Sequence, residues 1–202
     1  MWSVVKRLAA LMMVFSIMMC AINVVRIWAS GYRFSLPPHG TILGEVDGIQ
    51  VFSANGGDDR GQFGLEYQCV ELVNRVFVEK HGHRNLTQTG HADSYYWYAK
   101  EKGLVSYTNG GDVRPEPWDA LVFDGGDSDG TVGHIAVISR VLDDRVEFIQ
   151  QNFTSCQLFF VCRYNWQDSL PISRSGNGWS VHQGTYPQPV AGWSRPQLQE
   201  TQ

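Results

Sequence analysis

Positive charge is in short supply in this sequence: 16 Lys and Arg stand against 20 Asp and Glu, for a formal net charge of -4. The basic residues are scattered singly, so no stripe exists to neutralise a phosphate backbone, and a nucleic-acid role is excluded. Cysteine is scarce as well. The four in 202 residues form no CxxC pair, and no histidine has zinc-finger spacing, which excludes a structural zinc module. No internal repeat or low-complexity tract interrupts the chain, and Gly40 to Pro196 reads as one unit. With 43% hydrophobic residues there is enough apolar material to close a single core beside an appendage.

Polarity is missing from one stretch. Leu8 to Val25 contains only Ser16 and Asn23 as polar members, and Lys6 and Arg7 precede it. Eighteen residues sit at the lower limit for spanning a bilayer and exceed a usual signal-peptide apolar region. Ala29-Ser30-Gly31 offers small residues for cleavage, crowded by Arg26 and Trp28. Residues 1–34 thus read as a signal anchor or a signal peptide. Either exports the domain at 35–202, since Lys6 and Arg7 hold the N-terminus inside. The domain is expected outside the cytoplasm, membrane-anchored, or secreted if the leader is cleaved. Cys20 lacks the residues of a lipid-attachment box and reads as a small buried hydrophobe.

Arg33 to Gly44, with Pro37-Pro38, reads as a linker. Ile49 to Ser53 alternates as a strand, and a Gly/Asp-rich loop from Asn55 to Gly64 leads into a helix beginning near Tyr67. Val70, Val73, Val76 and Phe77 form its buried stripe, and His81-Gly82 ends it. A second helix is expected from about Ala92 to Lys102. Its Tyr95, Tyr96, Trp97 and Tyr98 cannot all be core, so Trp97, or Trp179 further on, is assigned to a groove. After Gly103 the pattern turns to strands: Leu121 to Phe123, Gly133 to Val141, Arg145 to Asn152, Leu158 to Tyr164 and Val190 to Trp193. Helices first and an antiparallel sheet afterwards make an α+β fold.

Cys69 falls in the first turn of the predicted helix, where positive partial charge favours a thiolate. Its backbone N–H could face a developing oxyanion, with the Gln68 side chain as a second donor. His134 alone among six histidines opens an apolar strand. A helix-start cysteine followed by a strand histidine is the order of papain-like enzymes, with cysteine as nucleophile and histidine as general base. Each residue also has a plain reading, a buried structural cysteine and a satisfied core histidine.

Three blocks carry a resemblance: Tyr67-Gln68-Cys69-Val70-Glu71, then Pro117-Trp118-Asp119-Ala120-Leu121-Val122-Phe123, then Gly133-His134-Ile135-Ala136-Val137-Ile138. They resemble the signature of the CHAP domain, the cysteine, histidine-dependent amidohydrolase/peptidase branch of the papain-like fold, over roughly Gly40 to Pro196. Within that family the likeness is nearest to the amidase domain of glutathionylspermidine synthetase/amidase. Gly40-Thr41-Ile42-Leu43-Gly44, Val146 to Asn152 and Ala191-Gly192-Trp193 echo it. The resemblance implies hydrolysis of an amide by Cys69 through a thioester. Export favours peptidoglycan peptides as substrate, with a glutathionylspermidine-type conjugate second. A non-catalytic, cell-wall-binding relic of the fold is the alternative of another class. No cofactor or metal is expected: Asp58-Asp59 and Asp127-Ser128-Asp129 are fragments of calcium loops without a full ligand set.

In the amidase branch the carboxylate that orients histidine would fall on Gln150, a neutral amide. A hairpin with a three- or five-residue loop around Leu142 would put Gln150 across from His134. A two-residue loop at Asp143-Asp144 is expected to put Gln151 there instead, and Asn152 shares the face of Gln150. Cys156 and Cys162, six residues apart, are expected to form a disulfide in an oxidising compartment, or else to remain two unpaired strand cysteines.

Overall fold

In a computed structural model the described residues are 2–30, 33, 35–57, 59–83, 90–126, 132–157 and 161–197. Helix α1 spans Trp2–Ala29, an apolar stretch without internal glycine or proline. Strands β1 (Ile42–Val46) and β2 (Ile49–Phe52) form a hairpin, and β3 (Arg60–Gly61) with β4 (Gly64–Leu65) a smaller one. Helices α2 (Cys69–His81) and α3 (Ser94–Trp97) follow, then a short 3-10 turn at Ala99–Lys102. Strands β5 (Leu104–Thr108), β6 (Ala120–Phe123), β7 (His134–Val141) and β8 (Arg145–Ile149) come next. After them lie β9 (Thr154–Gln157), β10 (Val161–Tyr164), β11 (Gln167–Ser175), β12 (Gly178–Val181) and β13 (Val190–Pro196).

Two compact units result, residues 1–36 with 154–163, and residues 37–153 with 164–202. In the smaller unit, β9 pairs with β10, a disulfide joins Cys156 to Cys162 with Cα atoms 4.1 Å apart, and Arg33 bridges to Cys162 through two backbone hydrogen bonds. Among the described residues no helix is long and apolar enough to cross a membrane. The membrane-spanning anchor expected from the leader finds no support among the described residues. The expected strand from Leu158 begins among residues outside the described ones, and so does Gly31 of the expected cleavage signal.

The larger unit is α+β. Its seven-stranded antiparallel sheet has the order β12-β11-β8-β7-β6-β13-β5. Alternation along the central strands divides the core in two. Ala120, Val122, Ile135, Val137 and Ile149 join Leu72, Val73, Val76 and Phe77 of α2 on one face. Leu121, Phe123, Ala136, Ile138 and Phe148 join Leu170, Ile172, Val181, Tyr186 and Trp193 on the other. Helix α2 ends as its sequence predicts, on Gly82 in a left-handed conformation (φ 62°). The second helix is shorter than expected. It breaks at Tyr98 (φ -117°), leaving α3 and the 3-10 turn in place of one helix from Ala92 to Lys102.

The register of the β7–β8 hairpin decides what faces what in the site. The turn falls at Asp143-Asp144, with the Leu142 N–H bonded to the Arg145 carbonyl at 2.9 Å. Val141 pairs with Val146 and Arg140 with Glu147, but Ile138 pairs with Phe148, so Ser139 is the extra residue of a β-bulge. The loop around Leu142 is therefore not adopted. The two-residue turn does not bring Gln151 opposite His134 either. Carried on beyond Val137 and Ile149, the bulged register sets Gln150 against Ala136 and Asn152 against His134.

Candidate active site

Cys69 is the first residue of α2 and packs against the core on the α2 side of the sheet. Its sulfur faces backbone N–H groups of Ile135, of Val70 and of Cys69 itself. Burial outweighs them and pushes the thiol pKa up, which corrects the expectation that the helix terminus would lower it. Gln68 occupies the N-cap position in extended conformation yet makes no capping bond, so the first-turn N–H groups are not taken up by that side chain. Tyr67, just before it, lies in the left-handed region (φ 59°), a strain of about 1–3 kcal/mol for a non-glycine residue. Its ring is held against His39 and Phe52, each centroid 4.8 Å away.

His134 opens β7, one residue before the N–H that faces the sulfur. Gly133 delivers it with φ 64°. A Cβ there would come within 2.6 Å of the Phe123 carbonyl oxygen, so this block needs glycine at that position. The imidazole sits among aromatic rings, with Phe153 at 5.0 Å and Phe123 at 5.8 Å between centroids. Burial pushes its pKa down to about 4, against the raising effect of the bond to Gln150. Among the described residues no hydrogen bond joins thiol and imidazole, as is common before substrate binds.

The three residues after β8 each hold a different part of this arrangement. Gln150, fully buried, places its Oε1 2.8 Å from His134 Nε2, while its Nε2 donates to the Asn165 carbonyl (2.7 Å) and to the Tyr186 hydroxyl (2.8 Å). Those two acceptors fix the amide's orientation. Oε1 must then accept from His134 Nε2–H, and Nδ1 carries the free lone pair. Gln151, also buried, donates to the Gln68 carbonyl (3.1 Å) and to Glu71 (2.8 Å). Its Oε1 accepts from the Phe52 N–H (2.9 Å) and from Arg75 (3.2 Å). Asn152 Nδ2 donates to the Gln68 side-chain oxygen, from a backbone in the left-handed region (φ 52°). With its oxygen engaged, Gln68 has its Nε2 to offer a substrate.

The second sequence block contributes less chemistry. Asp119 is buried and bonded to Arg195 (2.8 Å) and to the Glu116 N–H (2.8 Å), building a turn, while Phe123 lines the histidine. Trp97 is 59% exposed, and Tyr98 is exposed beside it. Trp179 is half-buried, with Arg114 and Arg174 within 5.4 Å of its ring. Tyr186 and Asp168, which the sequence reading did not single out, complete the surroundings of Gln150.

His39, Asp59 and Glu66 bring one ligand atom each within 4.8 Å of one another, with Glu66 three residues before Cys69. A nitrogen donor in the set suits a transition metal better than calcium. Asp58, Asp127 and Asp129 of the calcium-loop fragments lie outside the described residues.

Comparison with known proteins agrees with the blocks. The CHAP domain family model matches residues 59–152. A trypanothione synthetase of Crithidia fasciculata is 26% identical over 132 residues, 61% of this chain. The chain spans about a fifth of that protein, 19% of its length. Among solved structures, an N-acetylmuramoyl-L-alanine amidase from Staphylococcus aureus shares 17% identity over 58% of this chain and 31% of its own, with a TM-score of 0.37. Ly7917 with the hydrolysing product of MDP shares 16% over 66% of this chain and 55% of its own, also at 0.37.

Proposed function

Starting from a chain that carries a CHAP domain over residues 59–152, we propose that it is a cysteine amidohydrolase or peptidase acting through a thioester. The observation that carries this reading is the bond from His134 Nε2–H to Gln150 Oε1 at 2.8 Å. It leaves Nδ1 as a base on the residue adjoining the N–H turned to the Cys69 sulfur.

Both pKa shifts favour a neutral thiol and a neutral imidazole at rest. The proton therefore leaves Cys69 for His134 Nδ1 as the sulfur attacks the amide carbonyl. The oxyanion forms beside the Cys69 N–H and the Gln68 Nε2. Nδ1–H then passes its proton to the departing amine, leaving a thioester. Water, giving its proton to Nδ1, attacks the acyl carbon, and collapse returns that proton to sulfur and frees the acid.

Peptidoglycan peptides are the proposed substrate, and export by the N-terminal run is proposed with them. A disulfide at Cys156–Cys162 supports a place outside the cytoplasm. The match to a trypanothione synthetase supports a glutathionylspermidine-type amide as the second reading. Incubation with purified peptidoglycan and with glutathionylspermidine, read by mass spectrometry for new amines, decides between them. Hydrolysis of either that disappears in Cys69→Ala is the expected result. No turnover and no acyl-enzyme with any amide would leave a cell-wall-binding module.

A further inference from the structure

The hydrogen bonds around His134 do not stop at Gln150. His134 Nε2–H donates to Gln150 Oε1 (2.8 Å), Gln150 Nε2–H to Tyr186 Oη (2.8 Å), and Tyr186 O–H to Asp168 Oδ2 (2.9 Å). Every donor points the same way, from the imidazole outward, and the chain ends on a carboxylate. Asn165 closes a second path, accepting from Gln150 Nε2 through its carbonyl (2.7 Å) and donating to the same Asp168 oxygen through Nδ2 (2.6 Å).

We propose that Tyr186 and Asp168 are positioning residues that bring the polarising effect of a carboxylate to His134 through the neutral amide of Gln150. The consequence for turnover rests on the amidohydrolase reading above; the relay itself does not.

Three observations support the assignment. Asp168 has no ion pair among the described residues, and its other oxygen accepts only the Ser169 N–H (2.8 Å). Its charge therefore acts on Tyr186 and Asn165. Tyr186 is clamped between Phe123 (4.8 Å) and Phe153 (4.9 Å), both stacked, which fixes the direction of its hydroxyl. Burial first, and Asp168 second, raise its pKa, so the hydroxyl stays protonated and can serve as a donor. Aligned donors in a low-dielectric interior polarise one another. A negative end at Asp168 strengthens the acceptor character of Tyr186 Oη, then of Gln150 Oε1. That oxygen faces Nε2–H when Nδ1 takes the thiol proton. A buried, uncharged amide next to His134 avoids an isolated carboxylate in the aromatic pocket, and the charge is placed on the partly exposed Asp168 of β11, where water can solvate it.

Asp168→Asn removes the charge but keeps an oxygen that can accept from Tyr186 and Asn165. The Nε2–H proton resonance of His134 should move upfield in labelled Asp168→Asn and Tyr186→Phe protein. The kcat should fall by about tenfold with KM within about twofold. In a Gln150→Glu background, which puts a carboxylate directly on Nε2–H, Asp168→Asn should cost less than about twofold in kcat. An unmoved resonance in Asp168→Asn overturns the proposal, and so does an equal loss in both backgrounds, which marks a merely structural role. If Tyr186→Phe does not fold, the near-isosteric Asp168→Asn carries the test alone. Should wild type hydrolyse no amide, the functional reading fails while the resonance still judges the relay.

Discussion

Gln150 holds His134 although the two are not cross-strand partners. The Oε1–Nε2 distance is 2.8 Å, yet the β7–β8 register, shifted by the bulge at Ser139, runs Gln150 toward Ala136. The contact is a diagonal one along a shared sheet face, within reach of a side chain as long as glutamine. Gln150→Ala should lower kcat by roughly one to three decades with little change in KM, because it releases the imidazole tautomer. Gln150→Glu should be much milder. Steady-state kinetics of both variants check this, and a fully active Gln150→Ala would remove it from the site.

The state of the thiol gives a second expectation. Burial raises the Cys69 pKa and lowers that of His134 to about 4, so a thiolate–imidazolium pair is disfavoured at rest. Alkylation of Cys69 should be slow near pH 6 and climb through the alkaline range, whereas hydrolysis, which needs only a neutral imidazole, persists to about pH 5. Fast alkylation in mild acid would contradict the neutral pair.

His134 also links stability to pH. The unfolded imidazole titrates near 6.5 and the folded one at about 4, so the unfolded state takes a proton that the native state refuses. Its contribution is whole above 6.5 and is lost as pH falls toward 4, about 3 kcal/mol in all at roughly 1.4 kcal/mol per pKa unit. Denaturant unfolding across that window should show the wild type losing more stability on acidification than His134→Asn. Parallel curves would refute it.

Cys69 and His134 were legible because their surroundings are local. A Gly/Asp loop before a helix and a glycine before an apolar strand are patterns in the sequence itself. Gln150 was legible only in part: the alternation of faces survives an even shift, so the residue that bonds His134 emerged from a register that is two places off. Ser139 sends no signal of a bulge. Asp168 gave none either, since β11 reads as polar, carries Pro171, and reaches the site through pairing with β8, and Tyr186 lies in the connection between β12 and β13.

Gln151 is expected to matter for folding as well as rate. It joins the Gln68 carbonyl, Glu71, Arg75 and the Phe52 N–H in one buried cluster. Gln151→Ala strands several of those groups and should cost about 2–4 kcal/mol in chemical denaturation. Gln151→Glu should be worse, because it sets a carboxylate beside that of Glu71. A loss below about 0.5 kcal/mol would show the cluster to be slack.

Asn152 acts on the oxyanion donor in this scheme. Its Nδ2 engages the Gln68 oxygen, and Gln68 is otherwise a long, partly exposed side chain at the mouth of α2. Removing a single oxyanion donor costs about two to three decades in kcat, so Gln68→Ala should fall in that range. Asn152→Ala leaves the donor present but free to rotate, and about one to two decades is expected, with KM nearly unchanged. The two losses should not add. In Gln68→Ala protein no amide remains for Asn152 to orient, so the further substitution should change kcat by less than about twofold. Additive losses would mean that Asn152 touches the substrate itself or holds the chain at φ 52°, and Asn152→Gly, which tolerates that backbone, separates those two cases.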